Sequence, residues 1–222
     1  MSKLVVLEGI DGSGKSANFR RLCARLTEEK IPYHSIEFPR YDKESSALLR
    51  MYLNGAFGTK PEDVNAYTAS TFFSVDRFAS YREDWRKPYL QGKLILSDRY
   101  TTSNAVHQGA KLPPEELPEF FGWLADLEFE KMGLPRPDLV IYLEVDIELC
   151  LARLRRRHSR EHSEGDIHEA DRKYLERCLE TARRASEYFG WTTIACRDAQ
   201  GREREIDEKN QEIFERILAL DS

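Results

Sequence analysis

Eight consecutive residues near the N-terminus, Gly9-Ile10-Asp11-Gly12-Ser13-Gly14-Lys15-Ser16, fit the pattern G-x-x-x-x-G-K-[ST] in full. Glycines let the chain curl so that successive backbone N–H groups point inward, and a helix starting directly behind them adds its positive end. Together these features cradle a polyphosphate such as that of ATP. In such a cradle Lys15 reaches the terminal phosphates, and the Ser16 hydroxyl is placed to hold Mg2+. The pattern requires a strand before it and a helix after it. Both are present, because Lys3–Glu8 is a short apolar run and 15–29 carries helical patterning. GTPases, motor ATPases and small-molecule kinases share this cradle, so the acceptor must be read elsewhere in the chain.

Three further groups bear on that acceptor. Ser97-Asp98-Arg99-Tyr100 closes the strand-like run Lys93–Ser97, and ligands of open α/β sheets bind beyond the carboxyl ends of strands. There Asp98 can orient Mg2+, directly or through its water shell, or the acceptor oxygen. Arg99 can grip a phosphate with its planar fork. A purely structural Asp–Arg pair is the plain alternative. Phe38-Pro39-Arg40 ends the run Tyr33–Phe38; the proline stops the strand, and a cis bond there would aim Arg40 at the pocket, the alternative being a simple turn. The third group lies in a helix expected over 64–81. Its apolar stripe of Val64, Thr68, Thr71, Phe72, Val75, Phe78 and Ala79 reads as the core face. Phe73 falls on the opposite face with Ala66, Ser70 and Arg77, where a ring and an arginine one turn apart suit a nucleobase. Packing of Phe73 under a neighbouring helix is the other reading.

Stepping outward, the elements that must hold these residues alternate. Strand-like runs at 3–8, 33–38, 93–97, 138–145 and 191–196 are separated by helical stretches. That alternation predicts one α/β domain over 1–222, with five strands, helices on both faces and a single core. Two polar segments break the rhythm, 158–167 and 197–204. Arg153, Arg155, Arg156, Arg157 and Arg160 cluster ahead of and inside the first of these. A solvated basic face, a nucleic-acid patch and a lid over ATP are the three readings. The absence of interleaved aromatics argues against nucleic acid. His158, His162 and His168 have no cysteine nearby and do not follow the spacing of a closed zinc site.

The strand with LEGIDGSGKS, then FPRY at 38–41, FFSVDR at 72–77 and SDRYTTSNAVHQ at 97–108 follow one another in an order and spacing that resembles the thymidylate kinase family along essentially the whole chain. The resemblance implies a P-loop kinase fold with strand order 2-3-1-4-5, phosphorylation of dTMP by Mg·ATP on the way to dTTP, and a homodimer. Carried over by position, Asp11 receives the sugar 3′-hydroxyl, and Arg40 and Arg99 hold the acceptor phosphate. Phe73 stacks on thymine while Arg77 reaches its exocyclic oxygen. Phe38, Pro39, Ser103, Asn104 and Gln108 line the same pocket, Asn104 near the base edge, and Leu53 closes its side. Some members carry a catalytic arginine within the P-loop, where this chain has Gly12. The resemblance therefore assigns that role to the lid, about 153–168, at Arg153, Arg157 or Arg160. His107 departs from the pattern, since many relatives have tyrosine there beside the deoxyribose. Rejection of ribonucleotides is in doubt on that account, and a structural role for His107 is equally open. Related kinases acting on dUMP, UMP or a deoxynucleoside, and a nucleotide switch without turnover, are the competing readings.

The 222 residues carry 41% hydrophobic and 33% charged side chains with net charge −5, a balance that points away from DNA- or membrane-coating proteins. The apolar run at the N-terminus is shorter than a signal peptide's, and no stretch approaches a membrane span of ~20 apolar residues. Cys23, Cys150, Cys178 and Cys196 are scattered, as expected of reduced thiols in a cytoplasmic protein.

Overall fold

The structure, a computed structural model, describes residues 2–161 and 172–221, apart from the side chains at 157, 158, 160, 161 and 221. The unbroken apolar run KLVVLE forms β1 (Lys3–Glu8), whose side chains alternate between two layers. Leu4 and Val6 face one hydrophobic cluster while Val5 and Leu7 face another. Burial on both faces is what makes the run apolar rather than alternating. After the phosphate loop comes α1 (Lys15–Glu28), which buries Phe19, Leu22 and Leu26 along one stripe. Each fully buried leucine contributes about 1.5–3 kcal/mol.

The chain continues through β2 (Tyr33–Glu37), α2 (Ala47–Leu53) and α3 (Ala66–Ser80). A wide helical turn at Tyr81–Trp85 leads into α4 (Arg86–Leu90), then β3 (Leu94–Asp98) and α5 (Thr101–His107). Next, α6 (Leu117–Ala125) extends through a second wide turn at Asp126–Lys131, followed by β4 (Leu139–Glu144) and α7 (Ile147–Glu161). The last elements are α8 (Arg172–Phe189), β5 (Thr192–Ala195) and α9 (Ile206–Leu218). The five strands form one parallel sheet in the order β2-β3-β1-β4-β5. β1 is central, with Leu7 opposite both Asp98 and Ile141, so the carboxyl ends of β1, β3 and β4 open together beneath the phosphate loop.

Three expectations need correction. The core is divided: one cluster lies under α1, α8 and α9, a second on the other face around Trp85 and Tyr100, and a third under α6 around Phe120 and Phe121. In α3 the faces are reversed. Ala66, Ala69, Ser70, Ser74 and Arg77 are buried, whereas Val75 and Phe78 of the expected core stripe are 49% and 39% exposed. Small side chains allow α3 to lie close to α5, and Ser74, Asp76 and Arg77 find partners distant in sequence, Glu128 and Arg40. Finally, the segment read as a flap from 158 begins as helix, because α7 runs on to Glu161. His162, Asp166, His168 and the rest of 162–171 lie outside the described residues. No described helix is long and apolar enough to cross a membrane, and no disulfide occurs among the described residues.

Candidate active site

The first turn of α1 is bare. It starts at Gly14 (φ 83°) with no side-chain cap and no acidic residue in its first turn. Its leading N–H groups thus have neither a carbonyl one turn back nor a carboxylate to bond, the condition in which a helix end binds an anion. The loop before it is tightly packed. A Cβ on Gly9 would meet Ser13 Oγ at 2.5 Å, and one on Gly12 (φ 80°) would meet the Cys150 carbonyl oxygen at 2.7 Å. Gly12 therefore has no space for the arginine that some relatives carry there.

Lys15 and Asp98 form a buried ion pair at the mouth of the sheet. Burial lowers the Lys15 pKa and the nearby Arg99 charge adds to this, while Asp98 and Glu8 oppose it. Arg99 follows in a left-handed conformation, φ 65°, uncommon for a residue with a side chain. The turn is held by Ser97 Oγ donating to the Arg99 carbonyl at 2.5 Å and by Arg99 N–H donating to Leu7 O at 3.1 Å. Burial opposes the Arg99 charge, but Asp11, Glu8 and Asp98 outweigh it and raise its pKa. Its Nη2 donates to Asp11 Oδ1 at 2.7 Å, and its Nη1 to Ser103 Oγ at 3.3 Å and His107 Nε2 at 3.0 Å. Since an arginine cannot accept, His107 Nε2 is the acceptor. His107 is thus wedged between Arg99 and Cys178, whose Sγ is 3.7 Å from Nδ1.

These groups open into a cavity of ≈ 440 Å³. Ile10, Asp11, Gly12, Gly14, Lys15 and Ser16 line its phosphate end together with Asp98, Arg99 and Arg153. Phe38, Pro39, Leu53, Phe73 and Arg77 line its other end with Ser103, Asn104, His107 and Gln108. The Phe38–Pro39 peptide is cis. Gly9, Ser13 and Arg40 were expected at the wall but do not line it; Gly9 and Ser13 pack behind the loop. Arg40 is held at one side by Asp76, which accepts from its backbone N at 2.9 Å and its Nε at 3.2 Å. Ser45 Oγ accepts from its Nη2 at 2.9 Å.

Of the lid arginines, Arg153 reaches the loop. Its Nη1 donates to Gly12 O at 3.1 Å and Ser13 O at 2.6 Å, while Glu203, in the loop after β5, accepts from Nη2 at 2.7 Å. That contact with Arg153 lowers the Glu203 pKa. The side chains of Arg157 and Arg160 lie outside the described residues.

Sequence reasoning missed four acids that organise this site: Glu8, Asp76, Glu128 and Glu203. Glu8 is fully buried and accepts from Gly9 N at 2.8 Å, Thr102 Oγ1 at 2.5 Å and Ser103 Oγ at 2.7 Å. A carboxylate ending an apolar strand directly before Gly9 was a usable signal. Asp76, beside Arg77 in FFSVDR, offered a weaker one. Glu128 and Glu203 offered none, because their partners are far away in the chain.

The family model described as thymidylate kinase matches residues 7–209. A thymidylate kinase of Mycobacterium tuberculosis is 29% identical over 181 residues, covering 78% of this chain and 81% of the relative. One from Leptospira borgpetersenii is 35% identical over 155 residues, 69% and 68% of the two chains. A probable thymidylate kinase of Pyrobaculum aerophilum is 27% identical over 216 residues, 96% and 97%. With its uncapped phosphate loop, parallel sheet and matched length, the chain belongs to the thymidylate kinase family.

Proposed function

We propose that the protein transfers the γ-phosphoryl group of ATP to dTMP, giving ADP and dTDP in the route to dTTP. The observation that carries this reading is that donor and acceptor subsites share one cavity. The bare helix end with Lys15 and Ser16 faces the same space as Arg99, Phe73 and Asn104. ATP phosphates sit on Gly9–Ser16, and the dTMP phosphate lies against Arg99, with Arg40 beside it. Thymine stacks on Phe73, and Asp11 takes the sugar hydroxyl. Leu53 and Gln108 close the pocket around it; Gln108 Oε1 is buried without a hydrogen-bond partner among the described residues.

An oxygen of the dTMP phosphate attacks the γ-phosphorus in line, and the bond from that phosphorus to the β,γ-bridging oxygen breaks. The attacking oxygen is already anionic, so no strong base is needed and positioning with charge neutralisation supplies the rate. Lys15 and Arg153, whose Nη1 already touches the loop carbonyls, would offset the charge that spreads over the transferred group. Arg157 and Arg160 stay with Arg153 as lid arginines in this proposal. Mg2+ takes oxygen ligands, and the Ser16 hydroxyl and Asp98 carboxylate on the cavity wall fit it, directly or through water. When bound, the ion offsets phosphate charge.

The whole chain is read as one kinase domain, with the lid starting at Arg153. It is also read as a homodimer, supported by the apolar face of Leu48, Met51, Phe57, Val75 and Phe78 left exposed on α2, α3 and the loop between them. A cytoplasmic location, small nucleotides as ligands, and no role for nucleic acid or membrane complete the reading.

The test is ADP release with Mg·ATP and a panel of dTMP, dUMP, UMP, dCMP, dAMP and thymidine. Turnover fastest on dTMP is expected, with loss of about 10²–10³-fold in kcat on Lys15→Ala. Equal turnover on UMP would reassign the acceptor, and unchanged kcat in Lys15→Ala would remove the mechanism.

A further inference from the structure

Glu128 is fully buried in the wide turn at Asp126–Lys131, a local distortion that is frequent at functional sites. It clasps Arg77 side-on, accepting from Nε through Oε2 at 2.6 Å and from Nη2 through Oε1 at 2.6 Å. Oε1 also accepts from Ser74 Oγ at 2.9 Å and Asn104 Nδ2 at 3.2 Å. The Ser70 carbonyl, which can only accept, lies 3.1 Å from the same Asn104 nitrogen. Two obligatory acceptors therefore fix the Asn104 amide with its NH2 inward, and its Oδ1 has no hydrogen-bond partner among the described residues. Clasping Arg77 at Nε and Nη2 likewise leaves Nη1 without a partner among those residues. Arg77 and Asn104 both line the cavity.

The base wall thus offers a donor at Arg77 Nη1 and an acceptor at Asn104 Oδ1. A pyrimidine with a ring N–H next to an exocyclic oxygen matches that pair. Cytosine, with a ring nitrogen acceptor next to an amino group, opposes it at both points. We propose that Glu128 is a positioning residue for base choice: its carboxylate sets the donor–acceptor polarity of the pocket and so excludes cytosine nucleotides. This rests on the reading of the cavity as a dTMP site.

In Glu128→Gln the amide can accept from only one of the two Arg77 N–H groups, so the side-on clasp breaks; the Ser70 carbonyl still holds the Asn104 NH2 inward, and it is Arg77 Nη1 that loses its fixed place at the base edge. The kcat/KM for dTMP is expected to fall while that for dCMP does not, so that their ratio drops by about 10- to 100-fold, the equivalent of one hydrogen bond to a charged group. The loss on dTMP should appear in KM more than in kcat, and a melting curve shows whether the variant is folded. If it is not, Glu128→Asp keeps the charge but is too short to hold both partners, and a fall in the same ratio is expected. In the unmutated protein the Asn104 side-chain amide protons should exchange slowly with solvent, with and without dTMP. A folded variant with the wild-type ratio, equal losses on both acceptors, or rapid exchange of both amide protons would overturn the proposal. Wild-type turnover of dCMP equal to that of dTMP would instead overturn the acceptor assignment on which it rests.

Discussion

A methyl group at Gly12 tests whether the phosphate loop and α7 are packed as one unit. The backbone there has φ 80°, and the added Cβ would lie 2.7 Å from the Cys150 carbonyl oxygen and 3.1 Å from Cys150 Sγ. Gly92, in the turn before β3, has nearly the same conformation at φ 82°, with nothing within 4 Å of its Cβ position. The pair separates two costs. Gly92→Ala carries only the left-handed backbone penalty, about 1–2 kcal/mol. Gly12→Ala adds overpacking against a backbone atom, about 1–3 kcal/mol more. The gain from restricting the unfolded chain is common to both and cancels. At roughly 2–4 °C per kcal/mol for a chain of this length, Gly92→Ala should melt about 2–8 °C below wild type and Gly12→Ala about 4–20 °C below. Cys150 lies one helical turn before Arg153, so the clash also displaces the guanidinium that bonds Gly12 O and Ser13 O. A displacement near 1 Å costs about 10²-fold in rate, and Gly12→Ala should lose kcat while Gly92→Ala keeps it. The assays are thermal unfolding and ADP release at saturating ATP and dTMP. Gly12→Ala melting together with Gly92→Ala would refute the packing, and a wild-type kcat in Gly12→Ala would refute its link to the reacting phosphates.

Asp76→Asn removes the carboxylate that holds Arg40 at backbone N and Nε; KM for dTMP should rise about 10- to 100-fold with a much smaller change in kcat, and an unchanged KM would take Arg40 out of the phosphate site. Lys111, donating to Tyr52 Oη at 2.8 Å and Val64 O at 2.9 Å, has its pKa lowered by burial to about 8. Its unfolded form stays protonated to higher pH, so the native state binds fewer protons above pH 8 and stability rises with pH there. The penalty is complete below pH 8, and the stability of Lys111→Met relative to wild type should fall as pH rises from 8 to 9; a difference in melting temperature independent of pH would contradict this. Val75→Asp places a charge on the exposed apolar face of α3 and should yield folded monomers by sedimentation velocity, whereas a retained dimer would move the interface elsewhere.

Much of the site was legible because its determinants are local. The phosphate loop is eight consecutive residues whose glycines and helix start are interpretable without the rest of the chain, and each strand is an apolar run that identifies itself. Asp98 and Arg99 could be placed because they directly follow such a run. The face of α3 could not be read that way. Its periodicity allows two opposite burials, and the small and polar stripe, rather than the apolar one, packs inward. Hydrophobicity along one helix does not reveal whether apolar side chains meet the core or a second surface.

The sequence by itself determined the cradle and the alternation of strands and helices, since each depends on neighbours within one or two turns, while Leu53, Ser103, Asn104 and Gln108 were reached only through the resemblance to the thymidylate kinase family. Tertiary structure alone decided which acids govern which arginines. Glu128 meets Arg77 across 51 residues and Glu203 meets Arg153 across 50. No local pattern selects those partners from 39 acidic side chains. They are selected by burial, where a charge brought out of water must find an opposite charge with the right geometry, and only the folded chain brings the two together.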